Sequence, residues 1–258
     1  PLPKNEIMNK YVIVISLAVI FVVVACQTPQ NESRELEVEM QTNEKGEGIP
    51  LRVSIFKGMH HNHPTMAFWI EQLDGTFEQT LYVTKSLATG IFKHGAKGEG
   101  EWKREAGEAR RPATLPYWLH KRGFRAPDGL HLPTPDNPVA DAYTGATPPA
   151  NFVLDTRTDK NYTEKFRVMM EINQPWDWNN YWHNSRYPDN SNYKTSAQPA
   201  LVYAVTINPQ DTINTYYLNP IGHSHYAGKN GRLYTNLASM TTALDIVKKV
   251  RVEMRAKE

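Results

Sequence analysis

Residues 141–147, which read D-A-Y-T-G-A-T, combine a terminal hydroxyl with small residues and an aspartate in one short segment. The last of them, Thr147, offers a hydroxyl, which is a weak nucleophile until a base or a metal activates it. Gly145 and Ala146 keep the neighbouring surface small, so another molecule can approach the backbone closely. Asp141 suits the cap of a turn. From its residue types, the segment can present this hydroxyl to another molecule, and the alternative is an ordinary turn that leads into a strand.

The string D-x-x-T-G-A-T resembles the acceptor motif of extracytoplasmic proteins that carry covalent flavin mononucleotide (FMN). In that family, a flavin transferase joins the flavin phosphate to the last hydroxyl residue of the motif. The resemblance implies that Thr147 is the acceptor and that FMN is a covalent cofactor. The remaining cofactor-binding residues that it implies are Asp141, Thr144, Gly145 and Ala146.

A wider pattern of matches extends, with gaps, over roughly residues 50 to 208. Its members are His63-Pro64, Ala67, Trp69, Gly75, Trp118, the turn Thr144–Pro148 and the strand Phe152-Val153-Leu154. Together they resemble a family of predicted periplasmic domain-of-unknown-function proteins encoded near flavin transferases and PepSY-type membrane redox proteins. The resemblance implies an immunoglobulin-type sandwich, an extracytoplasmic setting and a link to flavin. It names possible partners, a flavin transferase and a membrane redox protein, but no reaction.

The first 26 residues predict a targeting segment. Met8 fits a start and Lys10 gives a positive end, and Tyr11–Ala25 is an apolar run broken only by Ser16. The run is shorter than the about 20 residues that a transmembrane helix needs, so it fits a signal peptide. It ends in V-V-A-C, which looks like a bacterial lipobox. This predicts cleavage before Cys26 and a lipid anchor on that residue, and the alternative is an uncleaved anchor helix.

Cys26 is the only cysteine of the chain, which favours acylation over a disulfide bond in a secreted protein. Either form of anchor predicts a cell-envelope protein, periplasmic or at the outer membrane, that contacts the membrane through its anchor. Residues 27–48 are polar and acidic and predict a tether, although Leu36, Val38 and Met40 alternate with glutamates and also fit an edge strand. The net charge of +2, from 29 basic and 27 acidic residues, argues against nucleic acid as a main partner.

Strand patterns dominate residues 49–258. Asp74-Gly75, between the β-rich runs Met66–Gln72 and Thr76–Lys85, predicts a hairpin. Other runs predict further strands or a helix: Leu51–Phe56, Phe152–Asp155 paired with Phe166–Ile172, Leu201–Ile207, a short helix at Thr241–Lys248, and Val250–Met254. The pattern predicts an all-β fold, an immunoglobulin-like antiparallel β-sandwich with long loop insertions and a short C-terminal helix.

The predicted insertions are at about residues 90–139 and 175–199. The first has one helical pattern at Pro116–Lys121. Its basic residues predict a solvated face or a contact with anionic headgroups near the anchor: Lys93, Lys97, Lys103, Arg104, Arg110 and Arg111. The second is rich in aromatic residues, and its ligand-binding candidates are Trp176, Trp178 and Trp182. These rings suit stacking on a sugar or an isoalloxazine, docking of a partner protein, or simply capping the end of the sandwich.

Two histidine pairs have a spacing that could serve a metal. His61 and His63, and likewise His223 and His225, would complete a zinc or copper site only if their loops converge, and the alternative is a set of hydrogen-bonded structural side chains. No metal ligand and no catalytic residue is therefore assigned. The sequence contains no carboxylate pair, nucleophile elbow or phosphate-binding glycine loop, so a stand-alone enzyme is not expected.

Two functions remain open from the sequence. The first is a lipid-anchored extracytoplasmic accessory for redox or electron transfer that carries FMN on Thr147. The alternative is a non-catalytic binding module that uses its tryptophan-rich segment for a glycan or a partner protein.

Overall fold

The computed structural model of the chain describes residues 37–139 and 146–255. Two β-sheets of five strands each make up most of the described fold, which confirms the predicted all-β sandwich. An immunoglobulin-type arrangement of its strands stays a prediction. The predicted lipid-anchor residue and three of the five predicted cofactor-binding residues lie outside the described residues: Cys26, Asp141, Thr144 and Gly145.

The first sheet combines strands from both ends of the chain. Its strands are β1 (Glu37–Gln41), β2 (Pro50–Lys57), β9 (Asn151–Arg157), β12 (Thr215–Tyr217) and β14 (Val247–Met254). Their order is β1-β9-β2-β14-β12, and β1 runs parallel to β9 while the other pairs are antiparallel. The predicted edge strand is thus confirmed, and the sheet begins within the segment predicted to be a tether.

The second sheet is antiparallel throughout. Its strands are β3 (Thr65–Gln72), β4 (Phe77–Val83), β10 (Phe166–Asn173), β11 (Leu201–Ile207) and β13 (Asn219–His223). Their order is β13-β11-β10-β3-β4, and β3 and β4 form the predicted hairpin around Gly75, whose φ is 87°. A positive φ is open to glycine without a Cβ penalty, which explains the residue at this turn.

The core lies between the inner faces of the two sheets. Alternate residues of β2 and β9, among them Val53 and Phe152, pack against alternate residues of β3 and β10, among them Phe68 and Val168. Burial of these side chains is the main stabilising term of such a sandwich. The period of two along each strand therefore decides which residues reach this core.

One pairing prediction was wrong. Strands β9 and β10 were expected to pair with each other, but β9 lies between β1 and β2 in the first sheet and β10 lies between β3 and β11 in the second. Their apolar residues, such as Leu154 and Met170, meet in the core instead of lying side by side in one sheet. The alternation in sequence identifies a strand and its buried face, but not its neighbour.

The insertion at residues 90–139 covers the outer face of the second sheet. A second cluster of buried residues joins Trp69, Val83 and Met169 of the sheet to Leu115 and Trp118 of the insertion. Strand β3 is consequently buried on both faces, which explains its nearly continuous apolar sequence T-M-A-F-W-I.

Short elements complete the described chain. They are α1 (Lys85–Thr89), β5 (Ile91–Phe92), β6 (Ala96–Gly98), β7 (Glu101–Trp102), β8 (Gly107–Glu108), α2 (Pro116–Lys121), α3 (Ser191–Ser196) and a 3-10 helix (Thr242–Asp245). Helix α2 confirms the helical pattern in the first insertion. The predicted C-terminal helix is limited to the 3-10 turn, because Val247 already belongs to β14. None of the helices in the described part of the chain has the length and apolar character needed to cross a bilayer.

A buried carboxylate fixes the first insertion to the second sheet. Glu171 of β10 accepts hydrogen bonds from the backbone N–H groups of Tyr117, at 3.1 Å, and Trp118, at 2.8 Å. These groups belong to the first turn of α2, whose N–H groups have no partner within the helix. Burial raises the pKa of Glu171 to about 8, although the two N–H donors act in the opposite direction.

Candidate functional site

A cleft of about 580 Å³ lies where the first insertion, the start of β3 and the segment before β9 come together. We call it the basic cleft. Its lining residues are Asn62, His63, Pro64, Thr65, Thr84, Lys85, Ser86, Thr89, Ile91, Phe92, Lys93, His94, Arg111, Ala146, Thr147, Pro175 and Trp176. The cleft thus brings Thr147 of the predicted acceptor motif together with Trp176 of the second, aromatic-rich insertion (residues 175–199, here called the aromatic segment), two residues that the sequence singled out separately.

The lysine and arginine side chains that the structure describes in this cleft give it positive charge. Lys85, Lys93 and Arg111 line it, together with two histidines, and no aspartate or glutamate is among the lining residues that the structure describes. A concave surface with charge of one sign concentrates ligands of the opposite sign. The charges that line the basic cleft therefore favour binding of an anionic ligand.

Arg111 is held rigidly in the wall of the basic cleft. Its guanidinium carbon lies 4.2 Å from the centre of the Phe92 ring and 4.6 Å from that of Trp102. Its Nη2 atom donates a hydrogen bond to the carbonyl of His94 at 3.0 Å. Burial lowers the pKa of Arg111 to about 10, so the side chain remains charged at neutral pH. A planar cation that is fixed in advance loses little entropy when it binds a phosphate or carboxylate.

Thr147 belongs to a cluster of hydroxyl groups at the edge of the basic cleft. It is 4% exposed, and its Oγ1 lies 2.8 Å from Oγ1 of Thr84. Thr84 also accepts a hydrogen bond from the backbone N–H of Met66 at 3.0 Å. The hydroxyl of Tyr82 is buried beside the two threonines and, within the described residues, makes no hydrogen bond of good geometry. Burial raises the pKa of Tyr82, so its hydroxyl stays protonated and available as a donor.

Trp176 presents its ring to solvent from a strained backbone. The residue is 53% exposed and has a φ of 59°, in the left-handed region that a bulky side chain rarely adopts. Its N–H donates to the carbonyl of Thr195 at 3.3 Å, and its own carbonyl accepts from Trp178 at 3.0 Å. Such strain costs about 1–3 kcal/mol and is concentrated at ligand-binding sites. An exposed indole held in this way is a candidate for contact with a ligand.

Trp182, the third ligand-binding candidate of the aromatic segment, packs in the core. It is 5% exposed, and its Nε1 donates a hydrogen bond to Oγ of Ser239 at 3.1 Å. Its ring lies 6.3 Å from those of Tyr193 and Tyr226. The alternative that the aromatic residues cap the sandwich therefore fits Trp182, while Trp176 and Trp178 remain candidates for binding.

The histidines of the two pairs make hydrogen bonds to protein groups. His61 places Nδ1 3.2 Å from the carbonyl of Ile246 and Nε2 3.0 Å from that of Pro148. His225 uses Nδ1 to accept the N–H of Ala227 at 3.0 Å. Across residues 37–139 and 146–255, no three or more histidine, cysteine, aspartate or glutamate side chains are grouped to hold a metal ion.

The sequence did not identify Arg111, Lys93 or Phe92 as site residues. The two cations belong to a stretch that was interpreted as a solvated face or a contact with headgroups, and no spacing distinguishes them from their neighbours Lys97 and Lys103. No protein-family model, curated protein or solved structure matches this chain.

Proposed function

We propose that this protein is a lipid-anchored extracytoplasmic redox accessory that holds FMN in the basic cleft, with Thr147 as the point of attachment. The main observation behind the proposal is that one cleft is lined by Thr147, by the fixed cation Arg111 and by the exposed ring of Trp176. The acceptor motif supplies the identity of the anion. The immunoglobulin-type arrangement, the anchor at Cys26, and a flavin transferase and a membrane redox protein as partners belong to the same proposal.

The residues of the basic cleft fit both halves of FMN. Its phosphate requires cations and charge-assisted hydrogen bonds, which Arg111 and Lys93 are placed to give. Its flat ring system requires apolar and aromatic surface, which the exposed ring of Trp176 supplies. The volume of about 580 Å³ lies within the range of about 300–1,000 Å³ that is usual for ligand sites.

Attachment to Thr147 requires a local rearrangement. The hydroxyl must leave Thr84, which costs about one hydrogen bond, or ~1 kcal/mol, before it can face the cleft. After this rotation, Oγ1 of Thr84 still accepts the hydrogen bond from the backbone N–H of Met66. The protonated hydroxyl of Tyr82, which lies beside both threonines, can then donate a hydrogen bond to Oγ1 of Thr84 in place of Thr147.

In this proposal, the cofactor carries out the chemistry and the protein binds and positions it. The flavin supplies the electron chemistry, as cofactors do in redox proteins. The chain holds the phosphate with the cations of the basic cleft, presents Trp176 to the ring and keeps the assembly at the membrane through Cys26. No side chain of this protein is assigned to a proton-transfer step.

The proposal is tested by titrating the full-length protein in detergent with FMN and with riboflavin, which lacks the phosphate, while flavin fluorescence is followed. FMN is expected to bind at least about tenfold more tightly, because hydrogen bonds to charged groups contribute ~1.5–3 kcal/mol. The difference should shrink in about 1 M salt, which screens charges beyond about 3 Å. Equal affinities for the two flavins would contradict recognition of the phosphate.

A pair of lysine variants makes this titration specific to the cleft. Lys93→Gln removes an exposed cation that lines the basic cleft, whereas Lys97→Gln removes one from the same insertion that does not line it. We expect the first variant alone to reduce the preference for FMN over riboflavin.

A further inference from the structure

A second cleft, of about 720 Å³, shares Trp176 with the basic cleft. We call it the tryptophan cleft. Trp102 of β7 and Trp178 of the aromatic segment also line it, so the two insertions of the sandwich contribute indole rings to one concave surface. The sequence places these three residues up to 76 positions apart, and only the fold brings them into one cleft.

The indole rings of the tryptophan cleft are supported by other side chains. The guanidinium of Arg111 lies 4.6 Å from the ring centre of Trp102. Trp178 makes an edge contact with the buried ring of Tyr193, at 5.7 Å between centres. Trp176 is set in the left-handed backbone conformation described above. Aromatic surface that is fixed in advance contributes contact area at a low cost in conformational entropy.

The polar groups of the tryptophan cleft differ in sign from those of the basic cleft. Glu99, Asp189 and Asn184 line it, and Lys194 is the one cation among its described lining residues. Carboxylates and amide oxygens accept hydrogen bonds from hydroxyl groups. The excess of carboxylates disfavours an anion, so FMN and this cleft are not complementary.

We propose that the tryptophan cleft binds a neutral oligosaccharide. The apolar faces of pyranose rings pack on Trp102, Trp176 and Trp178, and their hydroxyl groups donate hydrogen bonds to Glu99 and Asp189. Indole faces beside hydrogen-bond acceptors suit both the apolar faces and the hydroxyl edges of a sugar. The inference is independent of flavin, since only Trp176 belongs to both clefts.

The test is a titration of the full-length protein in detergent with five hexasaccharides, namely cellohexaose, xylohexaose, mannohexaose, laminarihexaose and chitohexaose. Binding is followed by calorimetry and by quenching of tryptophan fluorescence. We expect at least one sugar to bind with a dissociation constant below about 1 mM, which corresponds to ~4.1 kcal/mol. If none of the five binds at that level, the proposal is overturned.

Exposed residues provide variants that leave the core intact. Asp189→Ala and Trp176→Ala are each expected to weaken binding of that sugar at least about tenfold, because they remove a charged acceptor and an aromatic anchor. Asp136→Ala, at an exposed carboxylate that does not line the cleft, should bind the sugar as the unaltered protein does. If all three variants bind alike, the sugar is bound elsewhere and the proposal is wrong.

One further variant separates this proposal from the flavin proposal. Lys93→Gln alters only the basic cleft, so it should reduce the preference for FMN and leave binding of the sugar unchanged. Loss of sugar binding in this variant would contradict the proposal that the sugar and FMN bind at two separate sites.

Discussion

Thr147→Ala is expected to abolish covalent flavin on this protein when the variant is exported together with a flavin transferase. Oγ1 of Thr147 is the atom that the motif assigns to the phosphoester, and alanine has no atom in its place. Thr147→Ser keeps the hydroxyl and should still become labelled. The measurement is yellow fluorescence that survives a denaturing gel, compared at equal amounts of protein.

The expected structural cost of Thr147→Ala is small, so loss of flavin would not reflect unfolding. The variant loses the contact with Oγ1 of Thr84, worth about 1 kcal/mol, while Thr84 keeps the N–H of Met66. Thr144→Ala removes the other hydroxyl of the T-G-A-T string and tests whether flavin is attached there instead. If flavin persists in Thr147→Ala but disappears in Thr144→Ala, the flavin is attached at Thr144 and the assignment to Thr147 is contradicted.

Raising the pH from about 5 to 8 is expected to reduce the free energy of unfolding through Glu171. Burial raises its pKa to about 8 in the folded protein, above the value of 4.5 for an unperturbed glutamate. The folded state therefore binds the proton more tightly, and the stability present below about pH 4.5 is lost as the pH rises through 8. Each unit between these limits corresponds to about 1.4 kcal/mol for one group.

Glu171→Gln isolates this contribution. Glutamine has a similar shape, cannot ionise and retains one oxygen to accept the N–H of Trp118 or Tyr117. Urea unfolding at a series of pH values should show a slope against pH that is shallower by about 1.4 kcal/mol per unit in the variant than in the unaltered protein. Equal slopes in the two proteins would show that Glu171 does not cause the pH dependence of the free energy of unfolding.

Local patterns were sufficient to predict most strands, but apart from the β3–β4 hairpin they did not identify which strands pair. The alternation in β2 and β14 and the Asp74-Gly75 turn depend on neighbours in sequence, and the structure confirms them. The pairing of β9 with β10 failed because an apolar alternation is satisfied equally by a neighbouring strand or by the facing sheet. Only the complete set of strands decides between these arrangements.

The candidate site was predicted in part for a similar reason. Thr147 and Trp176 were recognised from residue type and context, but the cleft that joins them depends on how the first insertion folds over the second sheet. Trp182 was grouped with Trp176, although contacts with Tyr193 and Tyr226 bury it. Burial of an aromatic residue in a long loop depends on distant partners, which a local pattern does not contain.

The intact mass of the mature protein, produced and exported together with a flavin transferase, tests the central claim most directly. The account predicts an increase that corresponds to one FMN joined with loss of one water, and a peptide map that places it on Thr147. An unmodified mass, from a preparation in which a known flavin carrier becomes labelled, would contradict covalent attachment of flavin to this protein.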